Sequence, residues 1–271
     1  YRIQLEGAEF SGNFKAPPAA DATDLKWINY SDTRTDTAAH EAVAGAILAF
    51  TAVNPDYRAL LLHNGDFVEY GDMEESWQAE FFSPALPNVR RLYAGMPLLA
   101  SVGNHEGGGH WFLRLFPIPY VKARYGSFDY GPVHISIVDQ YVPYTPGSNQ
   151  YAWLEQDLQA TGKPWKIILM HESGWSAGGG HPNNEEARTL QPLFEQSGVG
   201  LVLTGHNHYY ARSEVNGIPW LTVATGGAPL YQPNPQMPNV ITAIREFGFA
   251  AFDNAQVRHA MSAACGVHRT A

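Results

Sequence analysis

The chain has 271 residues, 45% of them hydrophobic, enough to bury a full core in one large or two small domains. Its formal net charge is −9 and its Lys and Arg are not clustered, which argues against a nucleic-acid scaffold as partner, because a phosphate backbone is bound by grouped cations. No apolar stretch approaches the roughly 20 residues of a membrane helix, and the single cysteine, Cys265, excludes an intrachain disulfide and a CxxC-type zinc site.

Residues 1–14 alternate apolar and polar side chains around a bend and predict an edge hairpin, and Ala16-Pro17-Pro18-Ala19-Ala20 reads as a linker. We expect residues 1–20 to be the tail of a preceding β domain or a linker, and residues 21–271 to form one domain. A chain that starts at Tyr1 without methionine is expected to be a processed protein or an excised fragment. Residues 25–30 predict a short strand leading to Asp32. Thr37 is the expected cap of a helix that runs to about Val53 and stops at Asn54-Pro55. A strand over 59–64 follows, then a helical stretch from Met73 that Pro84 and Pro87 divide, then the apolar run 97–102. Strand, helix, strand, helix, strand is the pattern of an α/β sheet.

In the second half, residues 125–130 and 133–139 flank Gly131-Pro132 as a hairpin. Ser148 is the expected cap of a helix through Ala160, with Tyr151, Leu154 and Leu158 on one face. Residues 165–170 predict a buried strand, a helix ends before Gly198, and 199–204 predict another strand. Asn216-Gly217 marks a tight hairpin, and 240–257 read as further antiparallel strand.

Several apolar runs stop at ligand-type residues: Tyr30-Ser31-Asp32, His63-Asn64-Gly65-Asp66, Gly103-Asn104-His105-Glu106, Met170-His171 and Gly205-His206-Asn207-His208. Open α/β sheets bind ligands at the carboxyl ends of their strands. Asp, Asn and His suit divalent ions, a shared carboxylate such as Asp66 can bridge two of them, and residues two apart in an extended segment, as His206 and His208 are, share a face.

In this order, Asp32, Gly65-Asp66, Gly103-Asn104-His105-Glu106, His171 and Gly205-His206-Asn207-His208 resemble the calcineurin-like metallophosphoesterases. Ser31-Asp32-Thr33-Arg34, Tyr151-Ala152-Trp153-Leu154-Glu155, Leu193-Phe194-Glu195 and Thr225-Gly226-Gly227-Ala228-Pro229-Leu230 bring the resemblance closer to bacterial relatives of the purple acid phosphatases. The resemblance implies an α/β fold, a four-layer α/β/β/α sandwich of two mixed sheets flanked by helices. It implies two transition-metal ions, Fe, Mn or Zn, one held by Asp32, Asp66 and His208 and the other by Asp66, Asn104, His171 and His206. The implied reaction is hydrolysis of a small phosphorylated substrate, a phosphate monoester, by a metal-activated hydroxide, with His105 as the catalytic histidine. A phosphodiesterase using the same site, or a metal module that binds phosphorylated ligands without turnover, are the alternatives. A fibronectin-like domain before residue 21 and an exported, periplasmic or secreted, location are further implications of the resemblance.

The sequence departs from the purple acid phosphatases at two places. Glu69 stands where they have a metal-ligating tyrosine, and Tyr70 is one residue late, which on a strand reverses its direction. A colourless protein is expected, with Glu69 as partner of His105, or else as a metal ligand. Arg34 stands where many relatives have a metal-binding histidine; it cannot ligate a metal, but its fork suits a phosphate oxygen or a neighbouring carboxylate. Of the remaining histidines, His63, His110, His134 and His181 are read as packing residues, with His181 and Trp175 as possible lining of the substrate mouth, and His40 as a surface helix residue.

Overall fold

A computed structural model describes residues 1–19, 21–118, 124–254 and the strand 266–269. The opening hairpin pairs β1 (Arg2–Leu5) with β2 (Ala8–Ser11) and is exposed along its length. The rest is built on two mixed sheets. In the first, β3 (Lys26–Asn29), β4 (Leu61–His63) and β5 (Leu98–Ala100) run parallel, as expected for a chain that alternates strand and helix. In the second, β6 (Gly126–Tyr130) and β7 (Val133–Ile137) form the hairpin at Gly131-Pro132, and β8 (Trp165–Leu169) and β9 (Leu201–Thr204) continue parallel to β7. The strands β10 (Tyr210–Val215) and β11 (Ile218–Val223) meet at Asn216-Gly217, whose φ values of 50° and 80° give the turn that a two-residue hairpin favours. A last strand of that sheet, β12 (Val240–Ile244), pairs with β10; β13 (Gly248–Asp253) and β14 (Gly266–Arg269) complete the first sheet beside β3. Residues 255–257 of the predicted terminal strand region lie outside the described residues.

Alternation along the strands creates four layers. Ile167 and Leu169 of β8 face inward with Ile135, Ile137 and Leu203 to meet Trp27, Leu62, Leu99 and Phe252 of the other sheet. Ile168 and Met170 face outward onto Leu154 and Leu158 of α5 (Asn149–Ala160) and Leu193 and Phe194 of α7 (Gln191–Ser197). On the opposite outer face, Ile28, Tyr30 and Leu61 pack beneath α1 (Thr37–Val53) and α3 (Pro87–Gly95). Between these, α2 (Glu74–Glu80), α4 (His110–Leu115) and α6 (Glu185–Arg188) are short connecting helices. Among the described residues, no helix is long and apolar enough to cross a membrane.

Two local expectations need correction. The cap of α1 is Asp36, one residue before Thr37, because its carboxylate reaches the Ala39 amide at 2.9 Å. His40 is fully buried, since it begins the stripe His40, Val43, Ala44, Ile47, Thr51 that helical spacing turns toward the sheet. Its Nε2 lies 3.2 Å from the Tyr30 hydroxyl, and burial pushes its pKa down to about 3.

Trp220 ties the second sheet to its helices. It is fully buried, meets Trp175 edge-on at 5.1 Å, and donates to Gln191 Oε1 at 3.0 Å. Trp220→Ala is expected to cost about 3–5 kcal/mol. Trp220→Phe, which keeps a ring but orphans the Gln191 oxygen, is expected to cost about 1–3 kcal/mol. Urea melts of the two variants check the order; equal costs would contradict it.

Candidate metal centre

Parallel strands end on one edge of each sheet, and that edge collects the polar residues. β3 leads into Asp32, β4 into Asp66, β5 into Asn104 and His105, β8 into His171, and β9 into His206 and His208. The loops are cross-linked through their backbones: the Asp32 amide donates to the Gly65 carbonyl at 3.1 Å, and the Gly205 amide to the His171 carbonyl at 2.8 Å. Asp32, Asp66 and His206 hold positive φ angles of 56°, 59° and 68°. Left-handed backbone costs a non-glycine residue roughly 1–2 kcal/mol and persists only where its surroundings enforce it. Glycine is required at 103 and 205, where a Cβ would collide with the carboxylates of Asp66 and Asp32.

Six ligand-type side chains form two groups that share Asp66. In one, Asn104 Oδ1 lies 3.1 Å from His171 Nε2 and 3.0 Å from His206 Nδ1, and His171 Nε2 is 3.4 Å from Asp66 Oδ1. In the other, His208 Nε2 is 3.6 Å from Asp32 Oδ1, and the free edge of the Asp66 carboxylate, Oδ2, faces the same space. Ligand atoms of Asp32, Asp66 and His171 all fall within 4.8 Å of one another.

The protons show why this cluster wants a cation. The Asn64 carbonyl accepts from His171 Nδ1 at 2.6 Å, and the Pro229 carbonyl from His208 Nδ1 at 2.8 Å. In the neutral imidazole each Nε2 is then a lone pair: that of His171 points at the Asn104 and Asp66 oxygens, themselves acceptors, and that of His208 lies 3.6 Å from Asp32 Oδ1 with Arg34 Nη2 as its one donor among the described residues, at 3.4 Å. Asp66 Oδ2, although buried, accepts no hydrogen bond among the described residues. Acceptors that converge with too few donors are satisfied by a metal ion, and this set of carboxylate, amide oxygen and imidazole fits a borderline divalent cation.

The electrostatics agree. Burial and repulsion from Asp66, partly offset by His171, push Asp32 up to about 7. Burial resists charging of His171, yet Asp66 and Asp32 outweigh it and hold this imidazole above its usual range. Burial and the neighbouring His171 push His206 down to about 2, and burial lowers His208 to about 4, so both are neutral and ready to ligate near neutrality.

Beside this cluster stand His105, Glu69 and Arg34. His105 Nδ1 donates to the backbone carbonyl of Glu69 at 2.7 Å, and its Nε2 is 3.9 Å from Asp66 Oδ2. The expected pairing of His105 with Glu69 therefore runs through the main chain and not through the carboxylate. That carboxylate is taken by Arg34 Nη1 at 2.5 Å and by the Thr35 hydroxyl at 2.6 Å, which hold it below the usual range against the opposing effect of burial. Arg34 also approaches Asp66 Oδ2 with Nε and His208 Nε2 with Nη2, both at 3.4 Å. Tyr70 is 61% exposed.

Two residues matter more than their sequence signals suggested. Glu106, fully buried, accepts from the backbone amides of Asp66 and Phe67 at 2.9 Å each and of Gly103 at 2.5 Å, so it fastens the β4 loop to the β5 loop. Burial and Asp66 push it up to about 7. His181 stacks on His206 with ring centroids 4.1 Å apart, and Tyr231 stacks on His208 at 4.2 Å; the Tyr231 hydroxyl and His181 Nε2 are 3.3 Å apart. His63 is a packing residue stacked on Phe67 at 3.7 Å, and His134 is pinned between Asp129 and Asp157 at 2.8 and 3.0 Å. His110 opens α4 on the surface.

The family model for calcineurin-like phosphoesterases matches residues 38–210. Purple acid phosphatase 18 of Arabidopsis thaliana is 29% identical over 241 residues, covering 79% of this chain and 49% of its own length. A purple acid phosphatase of Glycine max is 28% identical over 221 residues, 64% of this chain and 46% of that one. The chain spans about half the length of the curated relatives it matches. Among solved structures, a purple acid phosphatase from yellow lupin (Lupinus luteus) seeds superposes with a TM-score of 0.71 at 17% identity, over 88% of this chain and 50% of that one. A dimetal phosphatase from Danio rerio gives 0.56 at 12% identity, over 84% and 91%.

Proposed function

Because the chain belongs to the calcineurin-like phosphoesterase family, we propose that it is a binuclear metal-dependent phosphatase that hydrolyses small phosphate monoesters. The observation that carries this reading is the convergence of carboxylate, amide and imidazole acceptors around Asp66, whose buried Oδ2 accepts no hydrogen bond among the described residues, at the carboxyl edge of both sheets. Asp32, Asp66 and His208 would hold one divalent ion, and Asp66, Asn104, His171 and His206 the other. Bound there, two divalent ions offset the clustered carboxylates, attract a phosphate dianion to a protein of net charge −9, and acidify a water.

The chain's own residues then do the positioning. The carbonyls of Asn64 and Pro229 fix the tautomers of His171 and His208. The Glu69 carbonyl fixes that of His105 and leaves Nε2 to stabilise charge on the ester or to deliver a proton to the leaving oxygen. Arg34, held by the Glu69 carboxylate, adds positive charge beside the place of the phosphate. The test is hydrolysis of nitrophenyl phosphate and of bis-nitrophenyl phosphate by protein loaded with Mn, Zn or Fe. Faster cleavage of the monoester supports the proposal; preference for the diester makes the protein a phosphodiesterase; binding of phosphorylated compounds with neither ester cleaved makes it a binding module.

Metal uptake is expected to depend on pH with a definite sign. Below about 7 the apo centre keeps a proton on Asp32, and Asp66 and Asp32 hold one on His171 above the usual imidazole range; an incoming ion must displace both, whereas His206 and His208 are already neutral and offer no competition. Apparent affinity should therefore climb as pH rises from about 5 through 7, as a Zn²⁺ titration at several pH values would read. A flat profile would contradict it.

A further inference from the structure

The two cation subsites are not equivalent, and the difference is Arg34. Around Asn104, His171 and His206 there is no competing positive side chain among the hydrogen bonds and ion pairs of the three ligands. Around Asp32 and His208 there is one. The Arg34 guanidinium lies 3.4 Å from Asp66 Oδ2 and 3.4 Å from His208 Nε2, two of the three ligand atoms of that subsite, and Arg34 is only 8% exposed. A guanidinium keeps its proton in proteins and has no lone pair to offer a metal, so it can only compete. Its Nε finds no hydrogen bond among the described residues, and Asp66 Oδ2 finds none either: the two sit close enough to attract but not in a geometry that satisfies them. Glu69 Oε2 and the Thr35 hydroxyl hold the other end of the fork and give it a place to remain once it is turned out of the subsite.

We propose that Arg34 guards the Asp32–His208 subsite, so that the centre fills in order: the ion bound by Asp66, Asn104, His171 and His206 enters first and tightly, and the second enters weakly because it must displace a guanidinium. This rests on the reading that the centre holds two divalent ions. A neighbouring positive charge at such distances opposes a cation even when the surroundings screen it as well as a protein surface does, and displacement also breaks the contact with Asp66. The second step in the wild-type protein is therefore expected to be weaker than the first by at least about 10-fold.

The experiment is a titration of the metal-free 271-residue chain with Mn²⁺ or Zn²⁺ alone, followed by calorimetry and by metal analysis after dialysis. Wild type should show two unequal steps. Arg34→Ala and Arg34→His should strengthen the second step by about 10-fold or more and leave the first nearly unchanged, while Arg34→Lys, which keeps the charge, should preserve the gap. His206→Ala should remove the first step and His208→Ala the second. A wild-type second step too weak to detect that appears in Arg34→Ala, which adds no ligand, supports the guard equally. Two equal steps in wild type, or a second step that no Arg34 substitution moves, overturns it. Circular dichroism identifies any variant that fails to fold, and the unequal wild-type steps then carry the test. Ordered uptake without ester cleavage would defeat only the hydrolase reading, and cleavage with two equal ions only this inference; a wild type that binds no metal defeats both.

Discussion

Asp66→Asn is expected to abolish stable metal uptake at the first subsite and to weaken the second together with it. The substitution keeps the size of the side chain and suits the left-handed backbone at this position, φ 59°, which asparagine tolerates far better than alanine. The main-chain pairings of residue 66 also survive, since its amide is held by Glu106 and its carbonyl by the Thr33 amide at 2.9 Å. What disappears is the charge that faces both ligand groups at once: Oδ1 beside His171 and Oδ2 beside Arg34. Outer-shell partners of metal ligands alone are worth about 10–100-fold in affinity, so the loss of the shared ligand should exceed about 10²-fold and take phosphatase activity with it. Metal analysis of the dialysed variant, alongside circular dichroism to show that the fold persists, reads the result. A variant that keeps two ions would remove Asp66 from the centre of the account.

The second large effect is at His105, and it should separate rate from metal. His105 Nε2 lies 3.9 Å from Asp66 Oδ2, too far to ligate with it, and the residue's amide, which donates to Asp66 Oδ1 at 3.1 Å, persists in an alanine variant. His105→Ala is therefore expected to bind metal as the wild type does while kcat falls about 10²–10⁴-fold, the usual worth of a positioned acid or base. The side chain is 20% exposed, so substrate can reach it. A loss of metal in parallel with rate would make His105 a ligand; an unchanged rate would leave the phosphoester chemistry without this group. Both variants assume the same monoester assay, so that they are compared on one scale.

What the sequence made legible follows from the regularity of parallel strands. Asp32, Asp66, Asn104, His171, His206 and His208 each follow an apolar run, and parallel strands deliver such stops to one edge whatever the loops between them do. The four layers came from the family resemblance and not from a strand pattern: Ile167, Ile168 and Leu169 are all apolar, and only the fold assigns each to one face of β8 or the other. Less legible were the facts that depend on where loops meet. Glu106 was visible as an acid at the end of a strand, but its three amide partners include two that lie about 40 residues away, and no local pattern reports them. His181 sits in a glycine-rich segment with no periodicity, and only the tertiary fold stacks it on His206. Glu69 could be recognised as the residue beside His105, but which of its oxygens meets the imidazole was decided by the competing claim of Arg34 on the carboxylate. His40 is the case where residue type and spacing disagree: histidine is intermediate in burial and by itself allows a surface position, whereas its spacing to Val43, Ala44 and Ile47 places it on the buried face.

The most direct measurement is an anomalous difference map from crystals of this protein soaked in Mn²⁺ or Zn²⁺. The account places a strong peak among Asp66, Asn104, His171 and His206, with any second peak weaker and beside Asp32 and His208. A map without a peak at Asp66, or with the metal bound elsewhere while His171 and His206 face away from it, would contradict it.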